Sequence, residues 1–297
     1  KMANSITLAQ SYQAALDATY REVALTGRFE TPSRDINFTG AATAKVRKMS
    51  AVGLGNYSRS TGFPVGDLTV AWETITLSYE RGRAMTLDNM DAEEAKTEAA
   101  EVAGEYLRNY VVPEVDAYRF SKWASATGIQ EVGTPVSLDK TSILGAIDAA
   151  KAALDTYEVP AEGRVLFIST DCANLLDQAI TRVYGSGRAV DRRIPSLDGI
   201  EIIRVPQARF YKGITLNAGG TSSAGGFSKT TSTGRDINFL LAHPTALGAV
   251  TKHAPLRLFN PEQNQTADAW LLQYRVYGEA WVMEQKVKGV YSHIKAS

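Results

Sequence analysis

The sequence YLRNYVVPEVDAYRFSKWASA, residues 106–126, places a proline inside the strongest helical pattern of the chain. Upstream of it the helical pattern has already run for about five turns of ~3.6 residues. Pro113 has no amide hydrogen, and its ring clashes with the preceding turn at a cost of ~3 kcal/mol in a helix interior. We therefore predict one helix over residues 91–112 and a second over 114–126. Pro113 would stand at the first position of the second helix, where the missing hydrogen is harmless.

Each of the two predicted helices presents a distinct surface. The first helix has an apolar face, formed by Ala95, Ala99, Val102, Tyr106 and Tyr110. It also has an acidic face, formed by Glu94, Glu98, Glu101 and Glu105. The carboxylates form a row rather than the cage of oxygens that a cation prefers, so we interpret them as a solvated face. On the second helix, Val115, Tyr118 and Trp123 should dock on the closing strands of the chain.

Residues 36–88 predict a ribbon of two antiparallel strands joined by a long polar tip. The strand segments, 36–50 and 68–88, are rich in β-branched residues, and the tip, 51–67, is rich in Gly, Ser and Pro. Apolar and polar residues alternate, with Ile75, Leu77 and Tyr79 on one side and Thr74, Thr76 and Ser78 on the other. A lone two-stranded ribbon is only marginally stable in water, so we expect it to lean on another subunit.

An amphipathic helix is predicted at the amino terminus, over residues 7–26. Thr7 and Gln10 form a capping box, and one narrow apolar stripe follows, consisting of Leu8, Tyr12, Leu16, Tyr20 and Val23. Such a stripe must pack either on its own domain or on a neighbouring chain.

Residues 140–259 predict a compact α/β unit. We expect a first helix over 141–157, with an apolar face formed by Ile143, Leu144, Ile147, Ala150 and Leu154. We expect a second helix that is capped by Asp171 and continues through Leu175, Leu176, Ile180 and Val183. Strands are predicted at 164–170, 199–206 and 237–242, and the low-complexity segment 217–234 predicts a flexible surface loop. Residues 270–292 should close the chain as strands that turn near residues 285–286.

Composition narrows the functional classes. The chain has 297 residues with 32 Lys+Arg and 32 Asp+Glu, so it lacks the basic excess of a general nucleic-acid binder. Its one cysteine, Cys172, excludes an intrachain disulfide. The sequence has neither a membrane-length apolar run nor a signal-peptide core. Taking Met2 as the natural start, we expect a soluble protein made in a reducing cytoplasm.

No catalytic, cofactor-binding or metal site is predicted. The glycine-rich segments at 53–58, 185–187 and 219–229 do not match the GxGxxG, GxSxG or GK[ST] patterns. Cys172 has no histidine nearby in the sequence, and we interpret it as a buried core residue. The three histidines, His243, His253 and His293, lack ligand-like spacing, and the first two are expected in turns.

The order of elements resembles the major capsid protein of tailed bacteriophages, the Hong Kong 97-type fold that encapsulins share. The resemblance covers essentially the whole chain, and its closest segments are EVDAYRFSKWA at 114–124 and LRLFNPEQNQTADAWLLQYRVYGEAWVMEQKVKGVYSH at 256–293. It implies an α+β fold with an N-terminal arm (1–33), an extended β-hairpin loop (34–88), a peripheral domain containing a long spine helix (89–137 and 256–297) and an axial domain (138–255).

The resemblance also implies a function. Subunits would assemble as hexamers and pentamers into an icosahedral shell that encloses double-stranded DNA without sequence-specific binding. The protein would have no enzymatic activity and would be found in the virion capsid after assembly in the bacterial host cytoplasm. Implied partners are a separate scaffolding protein, a portal and a decoration protein, with no membrane.

Two family features are not expected. Some members cross-link an extended-loop Lys to a peripheral-domain Asn, but Lys45 and Lys48 lie in a predicted strand and the tip's only basic residue is Arg59. A start at Met2 leaves no room for an N-terminal scaffolding segment, so we predict no maturation cleavage. Two alternative functions stay open: an encapsulin-like nanocompartment shell and a soluble enzyme with an unrecognised site.

Overall fold

The structure is a computed structural model that describes residues 24–32, 36–40, 42–88, 99–180, 194–220 and 224–296. Its strands are β1 Ile36–Phe38, β2 Thr43–Ala51, β3 Leu68–Thr76, β4 Tyr79–Asp88, β5 Gln130–Glu131, β6 Val165–Ser169, β7 Ser196–Leu197, β8 Ile200–Val205, β9 Tyr211–Lys212, β10 Ile214–Leu216, β11 Phe227–Lys229, β12 Arg235–Ala242, β13 Leu247–His253, β14 Leu256–Phe259, β15 Ala269–Val282 and β16 Val290–Ile294. Its α-helices are α1 Ala99–Tyr106, α2 Val112–Ala124, α3 Ile143–Thr156 and α4 Thr170–Ala179. Short 3₁₀ helices lie at Gly27–Phe29, Gln207–Arg209, Pro244–Ala246 and Glu284–Gly289.

Two larger sheets organise the α+β fold. The first has the order β5-β16-β12-β6-β8-β7, with β9 paired to one end of β12, and helices α3 and α4 pack against it. The second is antiparallel and is centred on β15, which pairs with β13, β14 and β4. Strands β1, β2 and β3 form a separate three-stranded sheet, and β10 and β11 form a hairpin.

The helix around Pro113 is continuous, which corrects the prediction of two separate helices. A π-helical turn, Leu107–Val111, joins α1 to α2, and Pro113 is the second residue of α2. The backbone remains helical through the joint, with φ −75° and ψ −51° at Val111 and φ −59° and ψ −48° at Val112. The Val112 amide donates to the Leu107 carbonyl, five residues back. This wider turn holds the helix together next to a ring that a regular α-helix would not accommodate.

The buried face of α1 is displaced by about one residue from the predicted apolar face. Ala103, Leu107 and Val111 are buried, whereas Tyr110 is 68% exposed. Because a π turn holds one residue more than an α turn, the faces before and after it do not share one α-helical register. The predicted beginning of this helix at residue 91 lies outside the described residues.

Helix α2 docks on the sheet around β15, as predicted. Val115, Tyr118 and Trp123 are all buried. The Tyr118 hydroxyl donates to Glu279 of β15 at 2.6 Å, and the Trp123 indole donates to the carbonyl of Gly248 at 3.0 Å. The helix ends at Ala124.

Charged residues of α2 fasten the segment that precedes the ribbon. The fully buried Asp116 accepts from the Thr26 hydroxyl at 2.6 Å and from the Thr26 amide at 3.1 Å, and it pairs with Arg209 at 3.2 Å. Arg119 donates to the Thr26 carbonyl and to Glu30. These contacts therefore fix the segment from Thr26 to Glu30 to the core. The predicted helix over 7–26 lies outside the described residues except for 24–26, which are not helical.

The α/β unit confirms most predicted elements, with two corrections. Helix α3 and strands β6, β8 and β12 lie where expected. Ser169, rather than Asp171, caps α4, because its hydroxyl accepts from the Cys172 amide. This helix ends at Ala179, so the predicted Ile180 follows it, and Val183 lies outside the described residues. The predicted loop 217–234 contains strand β11, paired with β10.

The predicted ribbon strand over 68–88 is also corrected, because it is two strands in two sheets. Strand β3 pairs with β2, whereas β4 pairs along β15. The predicted alternation at its centre is confirmed, with Ile75, Leu77 and Tyr79 buried. The predicted turn near residues 285–286 lies within the 3₁₀ helix between β15 and β16, which belong to different sheets.

Candidate assembly surface

The root of the β2–β3 ribbon belongs to the subunit core. Ala44, Val46 and Ile75 are buried in one cluster with Val250 of β13 and Trp281 of β15. The register pairs Ala44 with Ile75 and Val46 with Glu73, so these four side chains lie on the face of the ribbon that meets the body.

Polar contacts end this attachment near the middle of the ribbon. The Lys48 ammonium pairs with Glu284 at 2.5 Å, and this hydrogen bond raises the pKa of Lys48. The Glu284 amide donates to the Glu73 carboxylate, and burial raises the pKa of this carboxyl. The Gln285 side chain donates to the Met49 carbonyl at 2.9 Å.

The opposite face of the ribbon is apolar and exposed. The same register places Arg47 beside Trp72, Met49 beside Val70 and Ala51 beside Leu68, all on the face turned away from the body. Trp72 is 49% exposed. The four large apolar side chains here are Met49, Leu68, Val70 and Trp72.

The tip continues this surface, which corrects the prediction of a polar tip. It is closed by a bridge in which Ser58 and Gly62 exchange backbone hydrogen bonds of 2.8 and 3.2 Å. The rings of Tyr57 and Phe63 meet at a centroid distance of 4.9 Å, yet Phe63 remains 85% exposed. The exposed apolar residues of the tip are Val52, Leu54, Tyr57, Phe63 and Val65. Together with the four strand residues they form what we call the apolar ribbon surface.

This surface is unusual within the molecule. Nine of the twelve large apolar side chains that are exposed in the described part of the chain belong to it, and the other three are Tyr110, Val136 and Tyr157. Such a concentration of exposed apolar side chains on one element indicates an interaction site. Sequence reasoning found the ribbon but missed its exposed apolar residues, because those of the tip are dispersed among Gly, Ser and Pro.

Two of the residues that were weighed for catalysis, Cys172 and His293, contact the same side chain, that of Asn238. Cys172 is buried, its sulfur lies 3.5 Å from the Asn238 carbonyl oxygen, and burial raises the pKa of its thiol. His293 is buried in β16 with Nδ1 3.1 Å from the Asn238 amide. His243 caps the turn that follows it, as predicted, whereas His253 ends β13.

The predicted acidic face of the first helix is described only in part. Glu101 and Glu105 are exposed, and Glu94 and Glu98 lie outside the described residues. Within the described ranges, no three His, Cys, Asp or Glu side chains group as metal ligands. No helix in the same ranges combines the length and apolarity needed to cross a membrane.

Comparisons with known proteins give structural matches only. No protein-family model matches the sequence, and no curated protein sequence matches it. The mature capsid of bacteriophage PhiM1 superimposes with a TM-score of 0.61 at 13% identity, covering 86% of this chain and 83% of that one. The capsid of cyanophage P-SCSP1u gives a TM-score of 0.61 at 15% identity over 88% and 85% of the two chains. A virus-like particle from Pyrococcus furiosus gives 0.56 at 10% identity over 96% and 99%.

Proposed function

We propose that this chain, which has the fold of tailed-phage capsid proteins, is the major capsid protein of a tailed double-stranded DNA bacteriophage. The observation that carries the proposal is the apolar ribbon surface, which projects from a complete core and has no cover within the described chain. Exposed apolar side chains such as Trp72 and Phe63 are unusual in this number on a stable monomer.

The geometry suits a shell made of rings. We infer that the apolar ribbon surface contacts a different surface on a neighbouring subunit, which makes the contact heterologous. Heterologous contacts close into rings when the rotation between subunits permits it. Each contact can be modest, because many act together in a closed shell. Hexamers and pentamers built in this way would form the icosahedral capsid.

The charge distribution supports a container for DNA. The formal net charge is zero, so the wall lacks the cationic excess that would bind phosphates non-specifically. The exposed Glu101 and Glu105 on α1 would further weaken adhesion if that face lined the interior. We therefore propose enclosure of the genome without sequence-specific contacts.

The finer assignments follow from the same proposal. They are the arm (1–33), extended loop (34–88), peripheral domain (89–137 and 256–297) and axial domain (138–255). They also include a separate scaffolding protein, a portal, a decoration protein, assembly in the host cytoplasm and a non-enzymatic role. The ion pair of Lys48 with Glu284 near the middle of the ribbon supports the absence of a lysine cross-link there.

A nanocompartment shell is the second candidate, favoured by the near-complete overlap with the Pyrococcus furiosus virus-like particle. Electron microscopy of particles purified from the source separates the candidates. We expect shells that are empty or filled with DNA. Small shells holding protein cargo would favour the compartment, and a small discrete oligomer would contradict both.

Deleting residues 52–67 tests the role of the ribbon. We expect folded, soluble subunits that form no stable shells. A second variant that replaces only Val52, Leu54, Phe63 and Val65 with serine keeps the length of the tip and should fail in the same way. Tyr157→Ser, on an exposed apolar residue outside the ribbon, is the matched control and should assemble normally. Normal shells from both ribbon variants would refute the proposal.

A further inference from the structure

A depression lies on the outer face of the β15 sheet, the face opposite α2. Its floor has almost no side chains, because Gly82 and Ala84 of β4 stand there. The register places Gly82 beside Arg275 and Ala84 beside Gln273 on β15. The open volume is about 310 Å³.

Two arginines border this depression on one face of the sheet. Arg257 of β14 lies directly opposite Gln273, and Arg275 is two residues further along β15. Side chains related in this diagonal way stand ~7–8 Å apart and can reach a common group. His253 and Pro255 complete the rim. We call this site the basic depression.

The two arginines differ in their partners. Arg275 forms an ion pair with Glu80. Arg257 is exposed and pairs with no acidic residue in the described part of the chain. The basic depression therefore carries an excess of positive charge and one guanidinium whose five donors are available to a planar carboxylate.

The projecting part of the ribbon carries one acid that could match it. Between residues 49 and 72 the only acidic residue is Asp67 and the only basic residue is Arg59. Asp67 is exposed, and its backbone carbonyl accepts from the Val52 amide, which fixes it at the base of the tip. Glu73, the next acid along the strand, already accepts from the Glu284 amide.

We propose that the basic depression of one subunit receives the Asp67 carboxylate from the ribbon of a second copy of this chain. The inference rests on the proposed shell function and names the receptor of the ribbon. The apolar ribbon surface would supply most of the binding free energy. The Asp67–Arg257 pair would set the register in which the ribbon lies, since complementary charges confer specificity more than raw affinity.

Charge reversal provides the test. Arg257→Glu and Asp67→Arg should each lower the yield of shells at least about tenfold, because each places like charges in contact. The double variant restores an opposite-charge pair and should return the yield to within about twofold of the wild type. Shell yield is measured as the sedimenting fraction of folded chain. If a charge reversal harms folding, the neutral variants Arg257→Gln and Asp67→Asn, alone and combined, repeat the comparison. Their effects on shell yield should be smaller.

A matched control pairs Arg257→Glu with Glu101→Arg, an exposed acid outside the ribbon, and should restore nothing. If the single variants assemble normally, or if the double variant is no better than the worse single one, the assignment is overturned. In that case deletion of residues 52–67 tells which claim has failed. Loss of shells in the deletion variant leaves the proposed function standing, whereas normal shells refute it as well.

Discussion

Two tryptophans show that one region of this subunit is fully packed within the chain and another is not. Trp123 on α2 is fully buried, its indole nitrogen is bonded to Gly248, and its ring meets Phe29 and Phe120 edge-on. Trp72 on the ribbon is half exposed beside Arg47. The first side chain has every partner it needs within one chain, and the second lacks the partner that would cover it.

Polar residues show the same contrast in reverse. Helix α2 buries Asp116 and Arg119, and both are satisfied by residues from distant parts of the chain. The ribbon instead exposes apolar residues and attaches to the body through its root and through polar contacts near its middle. Substitutions near α2 should therefore act on folding and those on the ribbon on assembly. The free energy of unfolding of the dissociated subunit separates these two effects.

The largest loss of subunit stability is expected for Trp123→Ala. Removing a fully buried indole leaves a cavity in the aromatic cluster and an unpaired Gly248 carbonyl, so we expect a loss of ~3–5 kcal/mol. Urea denaturation followed by circular dichroism measures it. A loss below ~1 kcal/mol would show that the region around α2 is not the closed core we describe.

Asp116→Ala should cost ~3 kcal/mol. It leaves the Thr26 amide and the Arg209 guanidinium without their buried acceptor. Asp148→Ala is the control, because Asp148 forms an exposed pair with Lys151 and should change stability by less than ~0.5 kcal/mol. Equal effects in the two variants would contradict the claim that Asp116 fastens residues 24–32.

Glu279→Gln should cost ~1.5–3 kcal/mol at pH 7. Burial alone would raise the pKa of Glu279, but hydrogen bonds from Ser78 and Tyr118 and the charge of Lys122 outweigh it and lower the pKa below its ordinary 4.5. The stability from this carboxylate is therefore complete above pH 4.5 and is lost as the pH falls through the lowered pKa. The wild-type and variant curves should converge below pH 4.5, and a constant gap there would contradict this assignment.

The sequence predicted local features far better than the pairing of distant segments. The alternation at residues 74–79 and the apolar face of α3 follow from period and residue type alone, and the structure confirms them. The separation of β4 from β3 could not be predicted, because β4 is defined by its pairing with β15, nearly 200 residues away. The buried role of Asp116 was missed because a charged residue in a helix normally indicates a solvated face.

The π turn was also missed, because it depends on a conflict between proline and packing. Pro113→Ala tests how that conflict is resolved. If the widened turn already accommodates the ring, alanine only frees the unfolded chain and should destabilise the subunit by ~0.4–1 kcal/mol. A stabilisation approaching ~3 kcal/mol would instead show that the ring strains the helix.

The smallest effect on the subunit is expected for Trp72→Ser, and this variant separates the two regions most clearly. An exposed residue that belongs to no cluster of the folded chain should change the free energy of unfolding by less than ~0.5 kcal/mol. The same variant should lose most of its shells, because the apolar contact with a neighbour is gone. If Trp72→Ser destabilised the subunit as strongly as Trp123→Ala, the ribbon would be part of the core, and the distinction between a folding region and an assembly region would fail.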